Sequence, residues 1–206
     1  MVQLGRCGIV ADAEWRSIQP RNYTMAMAIT VPRYTVEDLE HFPDDGNRYE
    51  LLDGVLLVTP GPGMPHQSIA SRLQLQLSDA VQRPGLGHVF GGGTIVSPPG
   101  THLEPDILVI PAGYPLDSAW VDIPEHWLAV EILSRSSRVY DREFKRDAYI
   151  ALGVAEVWLV DRRDKSVEVC TRRGPGKFVR DTIRWTVPRV GLEVTIDLRE
   201  VFAGLP

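Results

Sequence analysis

The chain has 206 residues, of which 44% are hydrophobic and 24% are charged, as is typical of one soluble globular domain. Its net charge of −5 argues against a protein that coats nucleic acid through bulk positive charge, so such a partner would require a local basic surface or a bound metal. No apolar run could span a membrane, the start lacks a secretory signal, and Cys7 and Cys170 form no metal or redox spacing, which together predict a cytoplasmic protein.

The N-terminal part has no regular spacing of apolar residues until a predicted hairpin at 48–59. We predict a loose tail over residues 1–30 and a single domain over residues 31–206. Thr35 is placed to cap a short helix over 36–41, with Asp38 at its third position. The segment "RYELLDGVLLVT" (48–59) predicts a hairpin, because Asp53 and Gly54 form a favoured two-residue turn.

The middle of the chain predicts one helix followed by several strands. Apolar residues four apart, at 69, 73, 77 and 81, indicate a helix over 66–82. We interpret "HVFGGGTIVS" (88–97) as one strand with a glycine interruption, and "EPDILVI" (104–110) and "HWLAVEIL" (126–133) as two more strands.

The C-terminal part predicts a second helix over 136–153, capped by Ser136 or Ser137 and ended by Gly153, and then a strand over 155–161. The segments "KSVEVCT" and "KFVRDTIRW" are interpreted as a closing hairpin around "RRGPG". These elements predict an α/β or mixed α+β fold, with helices covering at least one side of a sheet.

Two of the predicted strands each carry a carboxylate. A buried unpaired carboxylate is very costly, so Glu131, alone in "WLAVEIL", requires a cation, a donor set or a proton. Asp106 and Glu131 are each also compatible with an ion pair or a solvated strand end. Presented together at one sheet edge, they would form an oxygen-rich site suited to Mg²⁺. Alternation along the strands predicts two sets of residues that share a face: Asp106 with Leu108 and Ile110, and Glu131 with Trp127, Ala129 and Leu133.

Lys145 is one of only 3 lysines among 22 basic residues. On the predicted helix, Asp141, Lys145 and Tyr149 recur every four residues and share a face. One interpretation is an ordinary surface pair of Asp141 with Lys145, worth roughly 0.2–0.5 kcal/mol. The other is a functional ammonium, because a compact charge on a flexible stem suits approach to a phosphate oxygen or a reacting water.

The combination of Pro105-Asp106 with Glu131 on the next core strand resembles the PD-(D/E)XK nuclease superfamily, although Leu133 stands where the generic pattern has its lysine. Over about residues 45–170 the chain more closely resembles the Uma-two family of restriction endonuclease-like proteins, which is common in bacteria. The motifs that carry this resemblance are "RYELLDG" (48–54), "PGMPHQSIASRL" (62–73), "EPDILVI" (104–110), "VEILSRSS" (130–137), "DREFKRDAY" (141–149) and "GVAEVWLVD" (153–161).

The resemblance implies a restriction endonuclease-like core, in which a central mixed sheet is flanked by helices and joined by additional β-hairpins. It implies that Asp106 and Glu131 bind Mg²⁺ (or Mn²⁺), with the Ile132 carbonyl as a further ligand, and that Lys145 completes the catalytic group. Glu50 would be a further acidic member, or else a solvating residue at a strand edge.

Other residues have less specific roles. His66 could contact phosphate or a second metal, or be a surface residue at a helix start. Three more residues could contact phosphate or support the metal ligands: Glu104, Asp141 and Tyr149. Four arginines near the start of the second helix could meet flanking phosphates or form a solvated face: Arg135, Arg138, Arg142 and Arg146.

The function expected from this resemblance is a metal-dependent DNA endonuclease that hydrolyses phosphodiester bonds. Its expected partner is DNA, with no membrane, and a homodimer is left open. The alternative is a nuclease-fold module that binds nucleic acid or a protein partner without cutting. Mg²⁺-dependent cleavage would distinguish the two.

Overall fold

The computed structural model describes residues 31–134 and 141–205, which belong to one compact unit. These residues form twelve strands: β1 (Asn47–Leu52), β2 (Val55–Pro60), β3 (Gly87–Phe90), β4 (Ile95–Ser97), β5 (Thr101–Leu103), β6 (Ile107–Pro111), β7 (Leu128–Ile132), β8 (Glu156–Asp161), β9 (Ser166–Cys170), β10 (Lys177–Val179), β11 (Thr182–Thr186) and β12 (Glu193–Asp197). The predicted tail over 1–30, and the helix cap at Ser136 or Ser137, lie outside the described residues.

The described α-helices are α1 (Met64–Leu77), α2 (Arg146–Ala151) and α3 (Leu198–Val201). Shorter helical turns are of the 3-10 type at Glu37–His41 and Trp120–Asp122, and of the π type at Ser78–Gln82 and Asp141–Lys145. No helix within the described ranges has both the length and the apolar character needed to cross a membrane.

The strands form three sheets, with orders β10-β9-β8-β7-β6-β3, β2-β1-β5-β4 and β11-β12. In the six-stranded sheet β7 and β8 are parallel, whereas β6 and β7 are antiparallel. A parallel pair requires a crossover connection, and α2 lies in the connection between β7 and β8. The predicted mixed α+β fold is therefore confirmed.

The six-stranded sheet separates two hydrophobic clusters. Successive side chains of a strand point to opposite faces of the sheet, so a strand that is buried on both faces contributes to both clusters. In β6, Ile107 and Val109 belong to the cluster that contains the apolar stripe of α1, whereas Leu108 and Ile110 belong to the cluster on the opposite face. The stripe predicted at 69, 73, 77 and 81 is confirmed, because all four side chains are fully buried. The hairpin β1–β2 is also confirmed, and both turn residues, Asp53 and Gly54, have positive φ.

The glycine run was wrongly placed inside one strand. β3 pairs with β6 in the six-stranded sheet, whereas β4 pairs with β5 in the four-stranded sheet, so the glycines connect two sheets. The connection is tight at Gly93, where a Cβ atom would lie 2.9 Å from the side chain of Leu108.

The strand predicted over 104–110 is shorter than expected, because β5 ends at Leu103 and β6 begins at Ile107. Pro105, which has no N–H to donate to a ladder, lies in the passage between the two sheets. The prediction that Trp127 shares a face with Ala129 and Leu133 is wrong. Trp127 precedes β7, and its side chain packs in the cluster that contains the α1 stripe, on the opposite side of the sheet.

Three further segments can be compared with the sequence prediction. The segment "KFVRDTIRW" is two strands, since β10 pairs with β9 while β11 pairs with β12. The first short helix is a 3-10 turn, before which Thr35 N–H donates to Asp38 Oδ2 at 2.7 Å. The described part of the second helix begins with a π turn and stops before Gly153, whose φ of 96° confirms the predicted helix end.

Candidate active site

Asp106 and Glu131 lie at the same end of two neighbouring strands. β6 and β7 are antiparallel, and Ile107 lies opposite Val130. Asp106, which precedes Ile107, therefore lies next to Glu131, which follows Val130. Asp106 Oδ2 accepts a hydrogen bond from the backbone N–H of Ile132 at 2.8 Å. Both carboxylates line one pocket of about 130 Å³, so the structure brings them together at one edge of the sheet.

Lys145 reaches this pocket from the last position of the π turn. Its Nζ lies 2.7 Å from Glu50 Oε2, 3.2 Å from Glu131 Oε1 and 3.9 Å from Asp141 Oδ1. The interpretation of Asp141 and Lys145 as a surface pair is wrong, because both side chains are buried. The ammonium instead joins carboxylates from the turn, from β1 and from β7.

Tyr149 holds Glu131 from the same direction. Its hydroxyl donates to Glu131 Oε1 at 2.6 Å, and its ring is fully buried. Burial, followed by the nearby carboxylates of Glu131 and Glu50, raises the pKa of Tyr149 well above its ordinary value. The phenol therefore keeps its proton and acts as a hydrogen-bond donor that fixes the orientation of Glu131.

Glu131 is a carboxyl group for which ionisation is disfavoured. Burial raises its pKa well above the ordinary value, and the charge of Lys145 opposes this only in part. For Lys145 the balance is opposite: burial alone would lower its pKa, but Glu131, Glu50 and Asp141 together raise it overall. Lys145 is therefore a stable cation, and a second cation beside Glu131 would favour its ionised form.

Asp106 remains ionised in spite of its burial. Burial alone would raise its pKa, but the contacts with His66, the N–H of Ile132 and the charge of Arg48 lower it overall. His66, in the first turn of α1, places its Nε2 3.0 Å from Asp106 Oδ2. The helix begins next to the "GPG" loop, and residues of this loop also line the pocket.

Arg48 is a pocket residue that the sequence analysis missed. Its Nη1 lies 3.2 Å from Asp106 Oδ1 and donates to the carbonyl of Glu104 at 3.0 Å. The available signal was the alternation of β1, which places Arg48 on the same face as Glu50, two residues later.

Glu50 and Glu104 differ in how they relate to the pocket. Glu50 is fully buried and accepts from the Glu104 N–H at 2.8 Å, so it is not a solvating residue at a strand edge. Glu104 is half-buried, lies 3.6 Å from Arg48 Nε through its Oε2, and lines a neighbouring cavity instead of the pocket.

The arginines expected to meet phosphates are engaged elsewhere or are not described. Arg142 lies 3.6 Å from Asp161 and 3.9 Å from Glu168. Arg146 Nε lies 2.8 Å from Asp147 Oδ1. Neither lines the pocket. Arg135 and Arg138 lie outside the described residues.

The pocket fits a hard divalent cation by the chemistry of its donors, because Asp106 and Glu131 present carboxylate oxygens. Within residues 31–134 and 141–205, however, no three His, Cys, Asp or Glu side chains already converge on one point. Arg48 and His66 contact Asp106 in this arrangement. A cation would therefore compete with these two side chains for the Asp106 oxygens.

Comparisons with known proteins place the chain in a family. The family model for Uma2, described as "Putative restriction endonuclease", matches residues 36–205. The fold is similar to the crystal structure of a "putative nuclease belonging to DUF820" from Anabaena variabilis, with a TM-score of 0.69 and 17% sequence identity over 82% of this chain and 97% of that chain. No curated protein matches. Because the family model covers most of its length, the chain belongs to the Uma2 family.

Proposed function

We propose that this protein is a metal-dependent endonuclease that hydrolyses phosphodiester bonds in DNA. The observation that carries the proposal is the shared pocket of Asp106 and Glu131, in which the ammonium of Lys145 lies 3.2 Å from Glu131. The descriptions of the family and of the similar crystal structure support a nuclease. Two carboxylates and a lysine at one sheet edge are the groups that such chemistry requires.

Asp106 and Glu131, with the backbone carbonyl of Ile132, would hold Mg²⁺ or Mn²⁺. When bound, such an ion neutralises charge on the scissile phosphate and lowers the pKa of water at the site. Asp106 contributes a carboxylate that is ionised before any cation arrives, because its lowered pKa keeps it charged.

Lys145 would stabilise negative charge that develops on the phosphate. Its raised pKa excludes a role as a general base at neutral pH, because the amine does not lose its proton there. Glu50 holds Nζ at 2.7 Å, which fixes the ammonium before substrate binds. Prepositioned charge of this kind is worth about 10²–10³ in rate at comparable sites.

Cleavage of plasmid and single-stranded DNA tests the proposal, with Mg²⁺ or Mn²⁺ and with a chelator. Asp106→Asn is the central variant, because it keeps the size of the side chain and an oxygen for the Ile132 N–H but removes the charge. Asp117→Asn is the matched control at an exposed aspartate. We expect metal-dependent cleavage by the wild type and by Asp117→Asn, and little by Asp106→Asn.

Two results would contradict the proposal. Equal cleavage by Asp106→Asn and wild type would assign the activity to a contaminant or to another site. Binding of DNA without cleavage under any of these metals would favour the non-cutting module.

A further inference from the structure

A second cavity, of about 450 Å³, adjoins the candidate active site. The two share Arg48, Gly61 and Pro62 in their walls. Its size falls within the range of roughly 300–1,000 Å³ that is usual for sites of small organic groups. We infer that this cavity binds one unpaired nucleobase of the substrate strand, next to the phosphate that is cleaved. This inference rests on the proposed function and names the form of DNA that the site accepts.

An aromatic wall supplies the first reason. The rings of Phe42 and Tyr49 stack with centroids 5.1 Å apart and planes 28° apart, and both residues line the cavity. Tyr34 packs its ring against Phe42, and the Tyr49 hydroxyl donates to Asp45 Oδ2 at 2.9 Å. The wall is thus held in place from both ends. Fixed aromatic side chains are the surfaces on which proteins stack the bases of single-stranded nucleic acids.

Polar groups in the cavity supply the second reason. Glu104 and His102 both line it, and His102 Nε2 lies 3.2 Å from Glu104 Oε1. A carboxylate accepts hydrogen bonds from the exocyclic amino group of a base, as in the pairing of Glu or Asp with cytosine N4. Adenine and guanine also carry an exocyclic amino group, whereas thymine does not. The cavity should therefore favour amino-bearing bases over thymine.

The charged residues around the cavity indicate where the base and the phosphate of a nucleotide would each lie. Asp44 and Glu104 line it together with Arg48, so an anionic group inside it would meet two carboxylates. Arg48 stands where the cavity joins the active-site pocket, with Nη1 3.2 Å from Asp106 and Nε 3.6 Å from Glu104. The neutral base is therefore favoured inside the cavity, and the phosphate of the same nucleotide or of its neighbour on the active-site side of Arg48, where the proposed cation would offset the carboxylates.

A base that stacks on this aromatic wall and donates to Glu104 cannot also remain paired and stacked in a duplex. The substrate must either be single-stranded at that position or present a base that has turned out of the helix. The cavity therefore predicts that single-stranded DNA binds more tightly than duplex DNA of the same sequence.

Fluorescence anisotropy with end-labelled oligonucleotides tests the inference, in parallel with cleavage of the same strands in Mg²⁺. The strands are oligo-dC, oligo-dT and a mixed-sequence strand, alone and as a duplex. The variants of the full chain are Phe42→Ala, Phe42→Leu and Glu104→Gln. The matched control is Phe178→Ala, which removes the same ring from an exposed position outside the cavity. Thermal unfolding checks that each variant is folded, and Phe42→Leu keeps the apolar bulk if Phe42→Ala does not fold.

The wild type should bind oligo-dC more tightly than oligo-dT, and single strand more tightly than duplex. Loss of the aromatic wall in either Phe42 variant should weaken binding of oligo-dC by about tenfold or more, as expected for one stacked base. Glu104→Gln should reduce the ratio of oligo-dC to oligo-dT affinity, whatever its effect on the rate of cleavage. Phe178→Ala should behave as the wild type.

Equal wild-type affinity for oligo-dC and oligo-dT, together with unchanged binding by the folded Phe42→Leu variant, overturns the base pocket even if the strands are cleaved. Conversely, base-dependent binding that is lost in the Phe42 variants, without cleavage of any strand, supports the pocket and contradicts the nuclease proposal. The two failures are therefore distinguishable.

Discussion

The ammonium of Lys145 is held between carboxylates from two different sheets, Glu50 in β1 and Glu131 in β7. All three side chains are buried, so removing the positive charge would leave two carboxylates without it in a low-dielectric site. Breaking a buried ion pair in this way costs about 3–5 kcal/mol. An activity lost on deleting the charge could thus reflect unfolding, and a substitution that keeps the charge is more informative.

Lys145→Arg is such a substitution. We expect the variant to fold and to bind Mg²⁺, because it keeps the positive charge that the buried carboxylates of Glu50 and Glu131 require. We expect it to lose most DNA cleavage, on the order of 10²–10³ in rate, because the planar guanidinium cannot place a point charge at the same spot. Plasmid cleavage measures the loss. Lys177→Arg, at an exposed lysine, is the matched control, and wild-type cleavage by Lys145→Arg would remove Lys145 from the catalytic group.

His126 gives a prediction about pH. It is buried, and neither ring nitrogen has a hydrogen-bond partner among the described residues. Burial lowers its pKa from 6.5 to about 4, against the opposing charge of Glu125. The unfolded chain therefore binds this proton at a higher pH than the folded chain. The stability contributed by the neutral ring is complete above the unfolded pKa and is lost as pH falls through the folded pKa.

Replacing His126 with leucine should remove this acid sensitivity. Between about pH 6.5 and pH 4 the wild type should lose on the order of 3 kcal/mol more stability than His126→Leu. Denaturant unfolding at a series of pH values measures the difference. His41→Leu, at an exposed histidine, should follow the wild-type curve. Parallel curves for His126→Leu and wild type would show that this ring is not protonated in the unfolding transition.

The residues that the sequence indicates for the candidate site stand out because their chemistry differs from that of their neighbours. Glu131 is a charge among strand-forming apolar residues, and Lys145 is one of only 3 lysines among 22 basic residues. Arg48 does not stand out in this way, since it is one of many arginines and lies near the start of an ordinary strand. Its place 3.2 Å from Asp106 depends on how the four-stranded sheet meets the six-stranded sheet, which no local pattern encodes.

Helix α1 offers a matched pair of leucines. Leu73 belongs to the stripe that packs on the six-stranded sheet and is fully buried, whereas Leu75 is 58% exposed on the same helix. We expect Leu73→Ala to lower the free energy of unfolding by roughly 2–5 kcal/mol, because it leaves a cavity in a closed core. Leu75→Ala should change it by no more than about 0.5 kcal/mol. Chemical denaturation measures both, and equal losses would contradict the stripe as the basis of helix docking.

Elements with a regular spacing of apolar residues or a characteristic turn could be predicted from the sequence. The points at which the chain passes from one sheet to another could not. The stripe of α1 and the Asp53-Gly54 turn follow from spacing and turn chemistry within a few residues. By contrast, β3 pairs with the more distant β6, whereas β4 forms a local hairpin with β5 in another sheet. A glycine run can mark a bulge or a crossing with the same sequence, and pairing over long separations decides between them.

At the scale of the whole molecule, the candidate site is assembled from segments that are distant in sequence. β1 supplies Glu50 and Arg48. The adjoining ends of β6 and β7 supply Asp106 and Glu131, and the turn before α2 supplies Lys145. These groups meet because β6 and β7 are neighbours and the four-stranded sheet covers one of their faces. Sequence alone indicated the residue types but not the neighbours, so the resemblance to a family supplied what periodicity could not.

The domain boundary gives a prediction for the whole chain. The described buried apolar side chains all lie between Leu51 and Phe202, and the family model begins at residue 36. A chain that begins at Ala28 should therefore retain one cooperative unfolding transition, with a melting temperature within a few degrees of the full chain. Differential scanning calorimetry of both chains measures this.

A shorter chain that begins at Asn47 tests the same boundary from the other side. It lacks Tyr34 and Phe42, whose rings pack in series against Tyr49, and it lacks the N–H of Tyr34 that donates to the Gly54 carbonyl at 2.8 Å. Each aromatic pair is worth about 0.5–1.5 kcal/mol beyond its buried area, so this chain should melt clearly below the one that begins at Ala28. A large loss already at Ala28 would instead place residues 1–27 within the folded domain, and the boundary near residue 31 would be wrong.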